Sequence, residues 1–336
     1  MTAVAVFSLD HLARMSDHRG LFEHASGTAR REEHGYCTDD NARLLVVTSR
    51  EPDTGIAHRL SRLALQFVCS AQVADGSCRN RMSAEGRWLD VPGTDDCWGR
   101  GLHGLGVASA QHSNPTVRRW AHRAFDRGAR QRSQHSRAMA FASLGAAEVV
   151  TVDSTNVGAR RILSETLALL GPVPYGEWQW PESRLRYANA TLAEAMIAAG
   201  SALQRPEALE GGLRMLGWLL DLETRDNHLS VTGTAGRDPG DGDVQFDQQP
   251  IEVAAMADAC WRAASVSDDA RWLKGIEMAA AWFTGDNDAG TAVCDAESGG
   301  GHDGLRADGV NLNQGAESTI AFLTTMQRAR RLVSAT

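Results

Sequence analysis

The sequence predicts an all-α fold, an (α/α)6 toroid in which six inner helices are enclosed by six outer ones. Three observations predict it: two kinds of helical segment alternate along the chain, each kind occurs six times, and the connections between them alternate between short and long.

The first kind is amphipathic and falls near 5–17, 55–72, 115–131, 157–170, 206–224 and 268–284. Leu60, Leu63, Ala64, Phe67 and Val68 keep the i, i+3, i+4, i+7, i+8 spacing of one helix face, and Val117, Trp120, Ala121, Ala124 and Phe125 repeat it. Leu209, Leu213, Leu216 and Leu220 continue the pattern, as do Trp272, Ile276, Ala279 and Phe283. The second kind falls near 40–50, 97–111, 136–150, 190–204, 250–265 and 315–330. Small apolar residues cover nearly its whole circumference, as in Arg137 to Val150 and Ala190 to Leu203, which suits helices buried on all sides. A ring of the second kind inside a ring of the first buries both, with a repeat of roughly 55 residues, longer than most solenoid units.

Connections from inner to outer segments are short, at 51–54, 113–114 and 267, as expected of antiparallel neighbours. Those from outer to inner are mostly long and rich in Gly, Pro, Asp and Trp: 18–38, 73–94, 171–189, 225–249 and 286–314. They all precede inner helices, so they gather at one mouth of the ring, and loops of that length in a compact domain are usually functional. The 336 residues read as one catalytic domain over 1–336.

Composition narrows the chemistry. A formal charge of -8 argues against a nucleic-acid partner. No apolar stretch approaches the roughly 18 residues that span a bilayer. The run Ala3 to Phe7 lacks the basic lead of a signal peptide and meets Asp10, His11 and Arg14 at once, so a cytoplasmic protein is expected. Cys37, Cys69, Cys78, Cys97, Cys260 and Cys294 form no CxxC pair and read as buried free thiols. Lys274 is the only lysine and sits on an outer helix, which removes a phosphate-binding GxxxxGK[ST] loop and a Schiff-base lysine. His34, His103, His135 and His302 fall near the mouth without metal-ligand spacing, so neither a metal nor a cofactor is expected. Gly101-Leu102-His103-Gly104-Leu105-Gly106 follows no strand and makes a weak nucleotide signal. A homo-oligomer is left open.

Each inner helix opens on a polar cluster: Thr38-Asp39-Asp40-Asn41, Thr94-Asp95-Asp96, Gln134-His135-Ser136, Tyr187-Ala188-Asn189, Asp247-Gln248-Gln249-Pro250-Ile251-Glu252 and Asn313-Gln314-Gly315-Ala316-Glu317. Capping accounts for any one of these acids, because Asp, Asn and Thr are favoured N-caps and acids suit helix N-termini. It needs only one acceptor per helix, whereas acids are doubled at 39–40 and 95–96 and added at Glu252 and Glu317. Carboxyls converging on a cleft can divide general acid from general base, as glycoside hydrolysis requires. Trp88, Trp98, Trp178 and Trp180, with Tyr175 and Glu177 nearby, offer flat apolar faces for pyranose rings; packing of the loops on themselves is the competing explanation.

The arrangement resembles the six-hairpin glycosidase superfamily, whose (α/α)6 barrels carry paired carboxylates at the loop-rich mouth and mostly hydrolyse with inversion. The strings His34-Gly35-Tyr36-Cys37-Thr38-Asp39-Asp40-Asn41-Ala42-Arg43, Phe246 to Glu252 and Asn313 to Thr319 resemble a bacterial family of carbohydrate-active proteins of mannoside metabolism. That family includes a mycobacterial α-endomannosidase of methylmannose polysaccharide recycling. The resemblance implies hydrolysis of an α-mannosidic oligo- or polysaccharide by water. It further implies Asp40 as general acid and Glu252 as general base, with Asp39 and Asp95 in reserve. His34, Tyr36, Arg43, Asp96, Trp98, His135, Tyr175, Glu177, Trp178, Trp180, Asp247, Gln249, Gln314 and Glu317 would bind substrate. Two alternatives share the architecture. A sugar epimerase of the N-acylglucosamine type would shuttle a proton with histidines, so that His135 and His302 would face each other across the cavity. In a non-catalytic carbohydrate-binding ring the aromatics would bind and the acids would only cap. Polysaccharide lyases rank lower.

Overall fold

The structure, a computed structural model, describes residues 7–335 and is an (α/α)6 toroid. The inner ring is α2 (Thr38–Ser49), α4 (Asp96–Gln111), α6 (Ser136–Val152), α8 (Asn189–Ala202), α10 (Pro250–Ala264) and α12 (Ala316–Ala335). Each inner helix packs on the next, and α12 returns to α2, so the ring closes. Outside lie α3 (Gly55–Ala71), α5 (Pro115–Gly128), α7 (Val157–Leu170), α9 (Pro206–Leu222) and α11 (Arg271–Phe283), each against the inner helix before it. The short α1 (Asp10–Arg14) packs against α12 and α3, so the sixth hairpin is split across the two ends of the chain.

The two helix classes keep the burial that their patterns predict. Every residue of α8 from Asn189 to Gly200 is buried, whereas α3 buries a stripe through Leu60, Ala64, Phe67 and Val68. One expected segment is shorter: the helix predicted over 5–17 runs only from Asp10 to Arg14, and its first residues lie outside the described ones. Asp17 accounts for its end, because Oδ1 accepts the backbone N–H of Arg19 at 2.8 Å and of Gly20 at 3.2 Å, a local turn that competes with the helix.

Small residues let the inner helices approach at backbone distance. A Cβ on Gly106 of α4 would lie 2.2 Å from the Gly145 carbonyl of α6, and one on Gly145 would lie 2.1 Å from the Leu102 carbonyl. A Cβ on Gly104 would meet the Ala42 carbonyl of α2 at 2.7 Å. Gly104 and Gly106, two glycines of the string that resembled a nucleotide loop, are therefore helix-packing residues.

The bottom of the barrel, where the inner helices end, is closed by buried charges. Asp258 accepts from Arg328 at 2.5 Å and faces Arg50 at 3.3 Å, while Arg262 pairs with Glu148 at 3.0 Å and Glu194 at 3.1 Å. Burial opposes ionisation of Asp258, but Arg328 and Arg50 hold its carboxyl well below the usual range. Three guanidiniums thus meet three carboxylates, and Gln111 at the end of α4 adds a bond to Glu148 at 2.8 Å.

At the opposite end the long loops brace one another. They form five two-stranded ribbons, one of which joins Tyr36–Cys37 of the first loop to Arg81–Met82 of the second. Bridges link Leu185 to Arg237 and Gln248 to Leu305, and the Gln314 N–H donates to the Gly27 carbonyl at 3.0 Å. The cysteines are all free, four of them buried. No helix among the described residues is long and apolar enough to cross a membrane.

Two stability outcomes follow. Gly145→Ala gains about 1 kcal/mol of helix propensity, yet the overpacking of α4 on α6 is expected to leave a net loss of about 1–3 kcal/mol, read as a lower urea midpoint. Asp258→Ala strands Arg50 and Arg328 in the interior and is expected to cost about 3–5 kcal/mol in the same assay. Unchanged midpoints would contradict the packing and charge arguments respectively.

Candidate active site

The mouth holds a groove of two adjoining lobes, about 570 Å³ and about 410 Å³, which share Asp39, Arg43, Gln249 and Glu317 as common wall. Asp96 and Glu252 line the larger lobe and Asp40 the smaller.

Local capping does not explain these acids. The N-cap of α2 is Cys37, whose Sγ accepts the Asp40 N–H at 3.4 Å, and Asp39 and Asp40 lie within the first turn. Asp95 holds the N-cap position of α4 but makes no capping bond. Glu252 does cap a helix, though not its own: one oxygen accepts the Ala188 N–H, and the other accepts the Asn189 N–H at 3.1 Å and its Nδ2 at 3.2 Å, at the start of α8. Ala188 turns left-handed there, φ 46°, which aims both amides at the carboxyl.

Asp40 and Glu252 are both nearly inaccessible, at 2% and 4% exposure. Burial pushes Asp40 up to about 7, against the pull of Arg43, whose guanidinium lies 2.5 Å from Oδ1. Burial likewise pushes Glu252 up to about 8, with the charge of Glu223 adding to the rise and the two backbone N–H bonds opposing it. The Cys37 thiol donates to Asp40 Oδ2 at 3.0 Å; burial, reinforced by the Asp40 charge, raises its pKa well above the ordinary value, so it stays a donor. Arg43 also reaches Glu317 at 2.6 Å, so one guanidinium ties the buried acid to a half-exposed one. Asp39 accepts from Asn80 at 2.9 Å, and Asp96 accepts from the Tyr187 hydroxyl.

Beneath the larger lobe, the Arg100 guanidinium carbon lies over the Phe141 ring, 3.9 Å from its centroid, and borders a void of about 70 Å³ whose lining includes Asp258. Burial and nearby Arg50 push His103, beside that void, down to about 3, so its ring is neutral.

Of the residues expected to bind substrate, Arg43, Asp96, Gln249 and Glu317 line the groove. Others do not. Trp98 is 2% exposed on the face of α4 turned to α5, and its Nε1 donates to the Gly128 carbonyl at 3.0 Å. Trp180 is 1% exposed and stacks on Trp218 at 6.0 Å, Trp178 meets Trp218 edge-on at 5.0 Å, and Trp88 packs on Phe67. Trp88, Trp178 and Trp180 anchor loops to the outer helices, and Trp98 ties α4 to the end of α5. Tyr175 and Glu177 are exposed outside the groove, where Arg214 covers the Tyr175 ring at 4.1 Å. Tyr36 is a core residue whose hydroxyl donates to Asp17 at 2.8 Å. Gln314 is buried between Ser298 and Asp295, and Asp247 faces Arg306 at 3.6 Å. His34 packs edge-on to His24 at 4.8 Å. Asp95 and His135 form an exposed pair at 3.4 Å on the rim, which removes Asp95 from the reserve acids.

Sequence reasoning missed Arg100, and it placed Tyr187 only in the polar cluster that opens an inner helix, not among the substrate-binding residues; Tyr187 is the one Phe, Tyr or Trp lining either lobe among the described residues. The signal for Arg100 was present: a charged residue in a helix apolar all round must face an internal space or a partner. Among the described residues no histidine lines the larger lobe; His24 borders the smaller, and His135 and His302 border neither. Glu23, Cys37 and Asp40 offer ligand atoms within 4.8 Å of one another, but Arg81 and Arg43 already neutralise the two acids.

No protein-family model and no curated protein matches the sequence. Among solved structures, the chain is similar to a sugar epimerase from a ruminal bacterium, with TM-score 0.69, 13% identity, and 96% of this chain and 95% of that one covered. It is similar to cellobiose 2-epimerase from Bacillus thermoamylovorans, with TM-score 0.70, 11% identity and 96% of both chains covered. It is similar also to an α-amylase from Clostridium perfringens, with TM-score 0.61, 11% identity and 95% of both covered. At such identities the likeness establishes the (α/α)6 architecture.

Replacing Arg43 by Gln removes the cation that favours ionised Asp40, so the Asp40 carboxyl is expected to titrate well above about 7. Carboxyl NMR titration checks this, and an unmoved or lowered midpoint would contradict the pairing.

Proposed function

We propose that this chain is a glycoside hydrolase that cleaves α-mannosidic linkages in a mannan or methylmannose-type oligo- or polysaccharide, endo-acting and inverting, with residues 1–336 as one catalytic domain. The observation that carries this reading is that carboxyls at Asp40 and Glu252, both raised toward neutrality, open on adjoining lobes of one groove whose larger lobe has no histidine. His24 borders only the smaller lobe and His135 and His302 border neither, so the facing histidine pair of the epimerase alternative is not assembled, which speaks against it. A groove of two lobes, rather than one pocket, favours attack within a chain.

The environments favour the reverse of the roles expected from resemblance. Glu252, with no guanidinium bonded to it, carries its proton at neutral pH and gives it to the glycosidic oxygen as the bond from the anomeric carbon breaks. Asp40, ionised with the help of Arg43, takes a proton from the water whose oxygen bonds to that carbon from the other side. Solvent then restores both groups.

Rate therefore rises as Asp40 ionises through about 7 and falls as Glu252 deprotonates through about 8, giving a narrow bell in kcat/KM. Asp40→Asn and Glu252→Gln are each expected to lose about 10²- to 10⁴-fold in rate while still binding substrate. A panel of α- and β-manno-oligosaccharides, followed by product length and by anomeric form in NMR, tests the activity; full turnover in either variant, or release of epimerised sugar alone, would overturn it.

A further inference from the structure

We infer that Arg100 and Asp39 act together as a clamp for a free sugar hydroxyl at the floor of the larger lobe, so that the ring seated there is unmethylated and uncharged. The inference rests on the groove binding a carbohydrate, as proposed above, and names which one.

Arg100 is 6% exposed and lines the lobe, yet none of its five N–H groups makes a hydrogen bond among the described residues. Phe141 covers one face of the guanidinium at 3.9 Å. Its Nε lies 3.6 Å from Asp39 Oδ1, beyond hydrogen-bond length. That same Oδ1 is buried without a hydrogen-bond partner, while Oδ2 is taken by Asn80. A donor that faces the groove without a protein partner and a buried acceptor without one thus stand side by side on one wall, and the acceptor is costly to leave unpaired unless a ligand completes it.

The chemistry of the missing group follows from the pair. A hydroxyl accepts from Arg100 and donates to Asp39 at once. A methyl ether accepts but cannot donate, and leaves Oδ1 unpaired. A carboxylate or phosphate would suit Arg100 alone, but it would meet the Asp39 charge, with Asp96 and Glu317 also lining the lobe. The remaining N–H groups of Arg100 reach a second acceptor, so two neighbouring hydroxyls of one ring are the natural occupant.

The test is calorimetric binding, independent of turnover, in the Glu252→Gln protein. Unmodified α-manno-oligosaccharide is compared with its per-O-methylated and its C6-uronate forms, and with malto- and cello-oligosaccharides. The unmodified mannoside is expected to bind at least about tenfold tighter than either derivative. Arg100→Met and Asp39→Ala should each weaken it about 10- to 100-fold, with the double variant little worse than either single one. Arg100→Lys, which keeps charge and most of the stem, guards against misfolding and should fall between wild type and Arg100→Met. Equal binding of the methylated or uronate form, or fully additive losses, would overturn the clamp. If a malto- or cello-oligosaccharide binds with the same dependence on both residues and the mannoside does not, the clamp stands and the mannoside reading falls.

Discussion

Six inner helices running in parallel impose the constraint on which the rest of the molecule depends. Parallel packing sends every inner N-terminus to one end of the barrel and every C-terminus to the other, so unsatisfied N–H groups and partial positive charge collect at the mouth and carbonyls at the bottom. The charged residues are sorted accordingly. Arg50 and Arg262 stand at the ends of α2 and α10 and Arg328 in the C-terminal half of α12, whereas Asp39, Asp40, Asp96, Glu252 and Glu317 stand in first turns. Dipole terms of about 0.3–1 kcal/mol each do not suffice to bury such groups. What holds them is pairing, as in Arg262 with Glu148 and Glu194, and packing that keeps water out, as where Gly106 meets Gly145.

The same constraint makes capping and chemistry compete for the same atoms, and Glu252 is where the competition is sharpest. Its carboxyl closes the start of α8 with three N–H bonds, which favour the charged form. Burial and the charge of Glu223 favour the neutral form, and they prevail. A structural carboxylate satisfied by a helix terminus would titrate low. One that serves the terminus and still carries a proton at neutral pH is placed to give that proton away. Asp40 shows the complementary balance, with burial raising it and Arg43 drawing it back toward the ionised state.

Helix number, helix class, ring order and the busy face were legible because burial leaves a periodic record in sequence. The expected inner segment 97–111 is α4 to within one residue at its start, and the outer segment 157–170 is α7 to the residue. The acids of the mouth were legible for the same reason, as polar residues opening apolar helices. Side-chain direction at the mouth was not. Trp98 and Trp180 differ from a sugar platform only in which way the indole turns, and both turn outward to anchor the ring. Tyr36 and Gln314 sit in the strings that carry the family resemblance, yet they hold loops together and line neither lobe of the groove. Arg100 was legible in principle. A lone charge in an all-round apolar helix has to face something, but depth along the helix decides what. Five residues into α4 it floors the groove, whereas Arg262, thirteen residues into α10, seals the bottom.

The sealed bottom in turn fixes how the groove can be used. The void under Arg100 is only about 70 Å³, with Asp258 among its lining, too small for a sugar ring, so a ligand in the groove stays above Arg100. Arg100 is then the deepest donor a substrate reaches from above, and Arg43, which borders both lobes and the void, is the residue through which they communicate. Whatever moves Arg43 alters Asp40 and Glu317 together, because its guanidinium bonds both. A ligand lying across the shared wall, as the proposed function requires, would act on the charge state of the buried acid through a residue that is already part of the barrel. Such coupling needs no lid and no second domain. It follows from one arginine placed a turn inside a helix whose first residues face the groove.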